Sequence, residues 1–266
     1  MIVRHGLEDW RSARPQFSGR ALGFVPTMGN LHAGHAALLE RARRECDVVL
    51  LSIFVNPTQF DDPQDLARYP RTLDADLAVA RAAGVDEVLL PTSAELYPDG
   101  YVYKVHESAV STVLCGARRP GHFDGVLSVV MKLLQIAQVS ADPAAQRLYM
   151  GEKDWQQLTL VRGMVDAFFL PWTVVGCPTV READGLAMSS RNSRLTPEQR
   201  RLAPLLAKAL HEAPDAATAR STLEAAGFRI DYLEDRALGA VAPVATRRFV
   251  AAHLGDVRLI DNVPLG

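Results

Sequence analysis

The strongest constraint on the fold is an uninterrupted apolar run at residues 48–55, Val-Val-Leu-Leu-Ser-Ile-Phe-Val. A strand with one face in water alternates apolar and polar side chains, whereas a strand covered on both faces is apolar throughout. Asn56 and Pro57 follow the run and end it. The pattern therefore predicts a central strand of a parallel sheet that is buried on both faces.

Shorter apolar runs and helical patterns alternate on both sides of this strand. Further strands are predicted at residues 21–25, 85–90, 147–150 and 172–177, and near residues 101–105. Helices are predicted at residues 36–45, 73–83, 108–114, 125–139 and 154–168, after a short helix and loop in residues 1–20. Strands that alternate with helices require right-handed crossovers. The alternation therefore predicts an α/β fold, an open parallel sheet with helices on both faces.

The character of the chain changes near Val180. Thr196, Pro197 and Gln199 form a helix-start signal, in which Thr is the N-cap, Pro opens the first turn and Gln reaches back to the cap. The segments predicted after this point are a helix to about residue 212, a helix at 218–226, and strands at 228–233 and 258–260. We therefore expect two domains, residues 1–179 and a smaller α+β unit at residues 180–266.

Composition excludes several classes of protein. The formal net charge of −2 over 266 residues argues against a broad nucleic-acid surface, which needs a basic excess. No apolar stretch approaches the roughly 18 residues of a membrane span, and the N-terminus carries charges where a secretion signal needs an apolar core. Three cysteines without CxxC spacing favour reduced thiols. We expect a cytoplasmic protein without nucleic-acid or membrane partners.

Residues 24–38 carry an anion-binding pattern. Pro26 is expected to end a strand, Gly29 allows a turn, and a helix begins whose N-terminus offers unpaired N–H groups and a positive dipole end. His32 and His35 can face one point there, and Gly34 leaves room for a ligand against the backbone. These residues predict a triphosphate site. Two surface histidines beside a helix cap explain the motif equally well, whereas zinc lacks a third ligand.

Three further clusters follow predicted strands and therefore lie at the same edge of the sheet. Residues 56–60 offer amides between apolar walls, or form a satisfied turn. Residues 151–157 place Lys153 at a helix start, for a ligand or beside a capping Asp154. Residues 188–192 offer hydroxyls and Arg191 to phosphate, or form a solvated loop. Donors and cations without nucleophiles favour phosphoryl chemistry by positioning and charge neutralisation.

Together these segments resemble the pantothenate synthetase family (pantoate–β-alanine ligases) of the HxGH nucleotidyltransferase-like superfamily. The resemblance is carried by FVPTMGNLHAGH at residues 24–35, SIFVNPTQF at 52–60, RPGHFDGV at 119–126, GEKDWQQ at 151–157 and READGLAMSSRN at 181–192, with a weaker echo, RLIDNV, at 258–263. It implies a Rossmann-like fold with a small C-terminal lid domain, and a homodimer. The implied reaction converts pantoate and ATP to pantoyl adenylate and pyrophosphate, after which β-alanine displaces AMP to give pantothenate. It also implies Mg²⁺ accompanying ATP, and no organic cofactor.

The resemblance further implies roles for individual residues. The catalytic contacts to phosphate would be His32, His35, Lys153, Ser189, Ser190 and Arg191. ATP would lie against Pro26, Thr27, Met28, Gly29, Gly34, Gly151, Glu152, Lys153, Asp154, Val180 and Met188. Pantoate would lie against Gln59, Gln157, Met28, Val129 and Val130, although the two valines are also typical of a plain core helix. Asp76 would contact Mg²⁺, although a carboxylate in a first helical turn is also typical of a helix-dipole role.

Two positions depart from the family pattern, and other functions stay open. Asp61 stands where the family usually has glycine, which predicts a stiffer or displaced loop, and Ala75 stands where some relatives have an acid. A cytidylyltransferase of the same superfamily would share the HxGH motif but would not require the Gln59 and Gln157 pair. A nucleotide-binding protein without turnover would not require Lys153, and a tRNA-synthetase-like protein would need a basic surface.

Overall fold

A computed structural model describes residues 1–239 and 246–265. Residues 240–245 and 266, which belong to the predicted 180–266 unit, lie outside the described residues. The strands of the larger sheet are β1 (Ile2–His5), β2 (Leu22–Thr27), β3 (Val48–Ile53), β4 (Glu87–Leu90), β5 (Gln146–Gly151) and β6 (Thr173–Cys177). They pair in parallel in the spatial order β1-β4-β3-β2-β5-β6. The predicted open parallel sheet is confirmed.

Helices cover this sheet on both faces. In chain order they are α1 (Leu7–Ala13), α2 (Ala33–Glu45), α3 (Pro63–Ala67), α4 (Leu73–Ala82), α5 (Ser93–Leu96), α6 (Cys115–Arg118), α7 (His122–Ala137) and α8 (Trp155–Ala167). The side chains of β3 show why both faces are apolar: Val48 and Leu50 join the core that contains α7, whereas Val49 and Leu51 join the core that contains α2. The prediction of a central strand buried on both faces is confirmed.

Two strands of the sheet differ from the prediction. Residues 2–5 form β1, whereas the sequence predicted only a helix and a loop in this region. The strand was missed because it is short and because its end residues, Ile2 and His5, are exposed, so it has no apolar run. Strand β2 also continues through Pro26 to Thr27, where Pro26 was expected to end it. The pairing of β2 with β5 stops at Phe24, so the missing N–H of Pro26 costs the sheet no hydrogen bond.

The segment between β4 and α7 contains less regular structure than predicted. No strand is assigned at residues 101–105, which the structure describes, and the helix predicted at residues 108–114 is reduced to a 3₁₀ turn at Val110–Thr112. The short helix α6 follows this turn. Gln156 explains the arrangement, since its buried amide donates to the carbonyl oxygens of Val110 and Val113 and accepts from the N–H of Cys115. A tertiary contact, invisible to local pattern, replaces helical hydrogen bonds here.

The C-terminal part has its own core and its own sheet. Its helices are α9 (Pro197–Leu202), α10 (Leu205–Glu212) and α11 (Ala216–Ala225), and its antiparallel strands are β7 (Arg229–Arg236), β8 (Arg247–Leu254) and β9 (Val257–Pro264), in that order. Thr196 and Gln199 form the predicted capping box, but the predicted long helix is split at Pro204 into α9 and α10. Strand β8 was not predicted.

The cysteines and the apolar character of the helices were also predicted from the sequence. Cys46, Cys115 and Cys177 are free and buried, as expected for reduced thiols. Within the described residues, no helix combines the length and the apolar character needed to cross a bilayer.

The contact between α7 and the 3₁₀ turn Pro57–Gln59 requires glycine at position 125. A Cβ on Gly125 would lie 2.3 Å from the carbonyl oxygen of Thr58 and 2.8 Å from the nitrogen of Gln59. Gly125→Ala should therefore destabilise the fold by about 1–3 kcal/mol through overpacking, measured by urea unfolding. Gly163→Ala is the matched control, because the structure has no atoms near a Cβ there. That variant should be stabilised by up to about 1 kcal/mol, and equal effects of both substitutions would contradict the contact.

Candidate active site

A cleft lies beyond the carboxyl ends of β2, β3, β5 and β6, where parallel sheets bind ligands. Its volume is about 940 Å³, large enough for a nucleotide together with a small acid. The predicted residues that line it are Pro26, Thr27, Met28, His32, Gly34, His35, Gln59, Val129, Val130, Gly151, Lys153, Asp154, Gln157, Val180, Met188, Ser189, Ser190 and Arg191. Gly29, Glu152 and Asp76 do not line it.

Asp76 is buried and holds a backbone turn, so its carboxylate does not face the cleft. Its carboxylate is 2% exposed and accepts hydrogen bonds from the backbone N–H groups of Asn30 and Leu31, at 3.0 and 2.7 Å, and from the Thr72 hydroxyl. These bonds hold the turn after β2, in which Gly29 and Asn30 have positive φ angles of 82° and 51°. The structure therefore does not bring Asp76 to the cleft as a metal ligand. Its carboxylate oxygens are occupied because the left-handed turn needs acceptors for its N–H groups.

Ala75 and Asp61, the two departures from the family pattern, have separate explanations. Ala75 is exposed beside the buried Asp76, so an acid there would add nothing to the turn that Asp76 holds. Asp61 forms an ion pair with Arg119 at 2.8 Å. This pair ties the loop after β3 to the segment before α7, as expected if an aspartate at position 61 restrains the loop.

The two histidines cap the helix that carries them. His32 is the N-cap of α2, and its Nδ1 accepts the N–H of Gly34 at 3.1 Å, while Nδ1 of His35 accepts the N–H of His32 at 3.3 Å. The prediction of free N–H groups at this helix start is thus wrong for these two groups, because the imidazoles satisfy them. Since each Nδ1 is an acceptor, the neutral ring carries its proton on Nε2. Both rings therefore have one N–H to donate away from the backbone.

Burial keeps both imidazoles neutral. It lowers the pKa of His35 to about 3; the charge of Lys153, and that of His32 in its protonated form, act in the same direction. The pKa of His32 is lowered chiefly by burial and then by Lys153, against the opposing carboxylates of Asp154 and Glu182. The two histidines are neutral donors at physiological pH, so the permanent positive charge of the cleft comes from lysine and arginine.

Lys153 lies in the 3₁₀ turn Glu152–Asp154 that joins β5 to α8. Its ammonium is 3.7 Å from the carboxylate of Asp154, and its side chain is 17% exposed. The Glu152 carboxylate turns away from the cleft, toward Gly176 of β6. The turn thus presents one cation to the cleft from the strand next to the histidine-bearing segment.

Ser189, Ser190 and Arg191 reach the same cleft from the beginning of the C-terminal part. The Ser190 hydroxyl donates to the carbonyl oxygen of Asn30 at 3.2 Å, which joins this segment to the turn after β2. Arg191 forms an ion pair with Asp65 at 2.9 Å, and Arg194 binds the other oxygen of the same carboxylate at 2.8 Å. Asp65 and Arg194 were not predicted, because Asp65 is 126 positions from Arg191 in sequence and Arg194 lies just beyond the motif at residues 181–192.

Gln59 is held by a buried amide network. Asn56, only 1% exposed, donates from Nδ2 to Oε1 of Gln59 at 3.0 Å and accepts the Tyr97 hydroxyl at 2.7 Å. The carbonyl oxygen of Gln59 also binds Nδ1 of His122 at 2.7 Å and the Arg119 guanidinium at 3.2 Å. Burial and Arg119 lower the pKa of His122 to about 4. The roles of Arg119 and His122 were missed, although both lie in the motif at residues 119–126.

The apolar end of the cleft is formed by α7. Val129 and Val130 are 6% and 5% exposed, belong to the core of the sheet and also line the cleft. Gln157, in the first turn of α8, lines the same cleft, whereas its neighbour Gln156 is buried against the segment at residues 110–115. The two glutamines at positions 59 and 157 and the two valines therefore share the cavity wall with Met28.

The chain is similar to known proteins over nearly its whole length. The sequence profile described as pantoate-beta-alanine ligase matches residues 3–264. A protein named pantothenate synthetase from Bdellovibrio bacteriovorus is 53% identical over 257 residues, which cover 97% of this chain and 96% of that protein. A protein of the same name from Legionella pneumophila is 46% identical over 263 residues, which cover 98% of this chain and 99% of that one.

Solved structures share the fold along the whole chain. The crystal structure of pantothenate synthetase from Thermus thermophilus has a TM-score of 0.88 and 43% identity, with 99% of both chains covered. That of pantoate-beta-alanine ligase from Francisella tularensis, complexed with beta-gamma ATP and β-alanine, has a TM-score of 0.90 and 36% identity, with 99% of this chain and 97% of that chain covered. The chain with this cleft therefore belongs to the pantoate–β-alanine ligase family.

Proposed function

We propose that this chain joins pantoate to β-alanine at the expense of ATP, by way of pantoyl adenylate, and releases pantothenate, AMP and pyrophosphate. The observation that carries the proposal is that one cleft is lined both by phosphate donors (His32, His35, Lys153 and Arg191) and by the amide pair Gln59 and Gln157 beside small apolar side chains. A nucleotide site alone does not require the second set. Membership of the pantoate–β-alanine ligase family supports the same reaction.

The cleft divides into two subsites in this proposal. The ATP subsite comprises Pro26, Thr27, Met28, Gly29, Gly34, Gly151, Glu152, Lys153, Asp154, Val180 and Met188, with Gly29 and Glu152 acting through the backbone turns that they belong to. The pantoate subsite comprises Gln59, Gln157, Met28, Val129 and Val130. Because amide groups buried without a partner are costly, Gln59 and Gln157 would favour an acid that carries hydroxyls over analogues that lack them.

The first step is attack of a pantoate carboxylate oxygen on the α-phosphorus of ATP. The new P–O bond forms as the bond to pyrophosphate breaks, and negative charge collects on the departing pyrophosphate. Lys153 and Arg191 would neutralise this charge, while the Nε2–H groups of His32 and His35 and the hydroxyls of Ser189 and Ser190 donate hydrogen bonds. Neutral imidazoles suit this role because they donate without the cost of burying two more cations.

Arg191 can bind phosphate in this step while it stays beside Asp65. Its guanidinium is paired with the carboxylate of Asp65. The bond to Asp65 uses Nη2, so the other N–H groups of the planar guanidinium can bind phosphate oxygens, while Arg194 also holds Asp65 in place. The ion pair thus holds the side chain in an ordered position from which it can engage ATP.

In the second step the free amine of β-alanine attacks the acyl carbon of pantoyl adenylate. The C–N bond forms, the bond from the acyl carbon to the AMP oxygen breaks, and the amine loses a proton. The Francisella tularensis relative, crystallised with β-alanine and beta-gamma ATP, supports a cleft that accommodates the amino acid together with a nucleotide.

Mg²⁺ would arrive bound to ATP. The buried Asp76 does not fit a ligand role, because backbone N–H groups and the Thr72 hydroxyl occupy its carboxylate. Within the described residues, no group of three or more His, Cys, Asp or Glu side chains is arranged to hold a metal ion. A cation that neutralises the triphosphate would therefore be held chiefly by the phosphate oxygens, without a cluster of protein ligands. By analogy with the family we further propose a cytoplasmic homodimer.

The protein should exchange labelled pyrophosphate into ATP when pantoate is present and β-alanine is absent, because the adenylate forms before the amine reacts. Addition of β-alanine should yield pantothenate and AMP in equal amounts, and chromatography of the nucleotides measures the AMP. A mixture that accumulates ADP, or exchange that needs no pantoate, would contradict the proposed sequence of steps.

Lys153→Ala and Gln59→Ala should affect different kinetic constants. Loss of the ammonium removes charge stabilisation from the transition state, so Lys153→Ala should lower kcat for exchange by about 100-fold or more and change KM for pantoate by less than about threefold. Gln59→Ala should raise KM for pantoate by about tenfold or more and leave KM for ATP within about threefold. Lys208→Ala, at a lysine whose side chain is 63% exposed on α10, is the control and should change neither constant. If Gln59→Ala affected only ATP, the subsites would be interchanged.

His35 should make folding stability depend on pH. Its folded pKa of about 3 lies below the ordinary value of 6.5, so the unfolded chain binds the proton first, and stability present above pH 6.5 is lost as the pH falls. This group alone should cost about 2 kcal/mol between pH 6.5 and pH 5. His35→Asn retains an acceptor for the N–H of His32 and should lose about 2 kcal/mol less than the parent protein over that range, measured by urea unfolding. Parallel pH profiles for the two proteins would show that His35 is not buried as described.

A further inference from the structure

Asn262, in the motif at residues 258–263, connects the C-terminal sheet to the turn that carries Lys153. This residue of β9 is only 3% exposed, and its amide Nδ2 donates to the carbonyl oxygens of Glu152 at 3.0 Å and of Lys153 at 2.9 Å. A side-chain amide has two N–H donors, so both are used on consecutive carbonyl groups of one turn. The C-terminal sheet thereby holds the backbone of Lys153 across about 110 residues of sequence.

Arg247 of β8 fixes the orientation of this amide. Its Nε donates to Oδ1 of Asn262 at 2.6 Å, so the oxygen faces the guanidinium and the NH₂ group must face the two carbonyl oxygens. The guanidinium carbon also lies 3.9 Å from the centre of the Trp155 ring, in a cation–π contact with the first residue of α8. Arg247 and Asn262 together therefore contact the turn Glu152–Asp154 and the residue that follows it, Trp155.

The turn has little to hold it in place locally. No side-chain cap is present at the 3₁₀ turn Glu152–Asp154 or at the start of α8, both of which the structure describes in full. Gly151 precedes the turn, and a Cβ placed on it would have no described atom within 4 Å outside the adjacent residues, so packing does not confine the chain there. The ammonium of Lys153 lies only 3.7 Å from the carboxylate of Asp154 in the same turn, an ion pair that moves with the turn and so does not fix its position.

We propose that Asn262 is a positioning residue for adenylation: its two hydrogen bonds, oriented by Arg247, place the Lys153 backbone so that the ammonium meets the phosphate charge of the transition state. This inference rests on the proposed function of Lys153. A small displacement of a group that acts only in the transition state lowers the rate without weakening the binding of either substrate.

Asn262→Asp tests the inference with an almost isosteric side chain. Aspartate keeps a partner for Arg247 but presents an oxygen, instead of N–H donors, to the two carbonyl oxygens. We expect kcat for pantoate-dependent pyrophosphate exchange to fall by about 10- to 100-fold, with KM for ATP and for pantoate changed by less than about threefold. A raised KM with unchanged kcat, or an unchanged rate in a folded variant, would overturn the inference.

Asp235→Asn is the matched control. Asp235 of β7 binds the buried guanidinium of Arg248, the neighbour of Arg247, through both carboxylate oxygens, at 2.8 and 3.0 Å, and is not among the residues that line the cleft. Its replacement weakens the same sheet and should leave kcat within about twofold. Equal losses in Asp235→Asn and Asn262→Asp would assign the effect to general weakening of this sheet and would overturn the positioning role.

A second variant covers the case in which Asn262→Asp does not fold, as judged by circular dichroism and thermal melting. Arg247→Gln removes the guanidinium that orients the amide and should lower kcat by about three- to tenfold with both KM values retained. An unchanged kcat in this variant would overturn the inference. Absence of pantoate-dependent exchange in the unsubstituted protein would contradict the proposed function itself. A normal exchange rate in the variants would contradict only the positioning role of Asn262.

Discussion

The parallel pairing of β2 with β3 and β5 is the constraint on which the candidate site depends. Because the three strands point in one direction, the segments that follow them emerge at one edge of the sheet. Those segments carry the capping histidines, the Gln59 turn and the Lys153 turn, which are separated by many residues in sequence. An antiparallel neighbour would direct one of these segments to the opposite edge. The parallel topology of the sheet thus brings these donors together, whatever the chemistry of the individual side chains.

Electrostatics then decides which form each donor takes. The buried wall of the cleft lowers the pKa values of His32 and His35, so the groups closest to the helix start are neutral. Lys153 and Arg191 supply the positive charge, and each has a carboxylate nearby, Asp154 and Asp65 respectively. The cleft thereby avoids an array of mutually repelling cations while it keeps neutral hydrogen-bond donors in the same wall.

Much of the fold could be predicted from the sequence because several signals are local. The continuous apolar run of β3 indicated a buried central strand, and Thr196 with Gln199 indicated a helix start through residues three positions apart. Strands β1 and β8 lacked such a signal. The first is a four-residue edge strand, and the second includes buried Arg247 and Arg248, whose charges obscure the strand pattern. Arg248 is buried only because Asp235 and several carbonyl oxygens surround it, a tertiary fact that no local pattern contains.

The candidate site divides in the same way. His32, Lys153 and Arg191 belong to short motifs and were identified from them, and the structure brings all three to one cleft. The side chains that hold motif residues in place were missed, since their partners are distant: Arg119 is 60 positions from Gln59, and Asp65 is 126 positions from Arg191. A motif shows which residues stand together in the sequence, whereas the contact through which Arg119, itself part of the motif at residues 119–126, holds Gln59 exists only in the folded chain.

The junction of the two predicted domains shows what such orientation achieves. The segment at residues 189–192 is bonded on one side to Asn30 through Ser190 and on the other to Glu182 through Asn192, so that it belongs to neither core alone. Asn262 reaches back from the C-terminal sheet to the turn of Lys153. The C-terminal part therefore contributes to the geometry of the cleft through backbone contacts as well as through Arg191. Both cations therefore depend on the C-terminal part, Arg191 because it lies at its beginning and Lys153 because Asn262 holds the backbone of its turn.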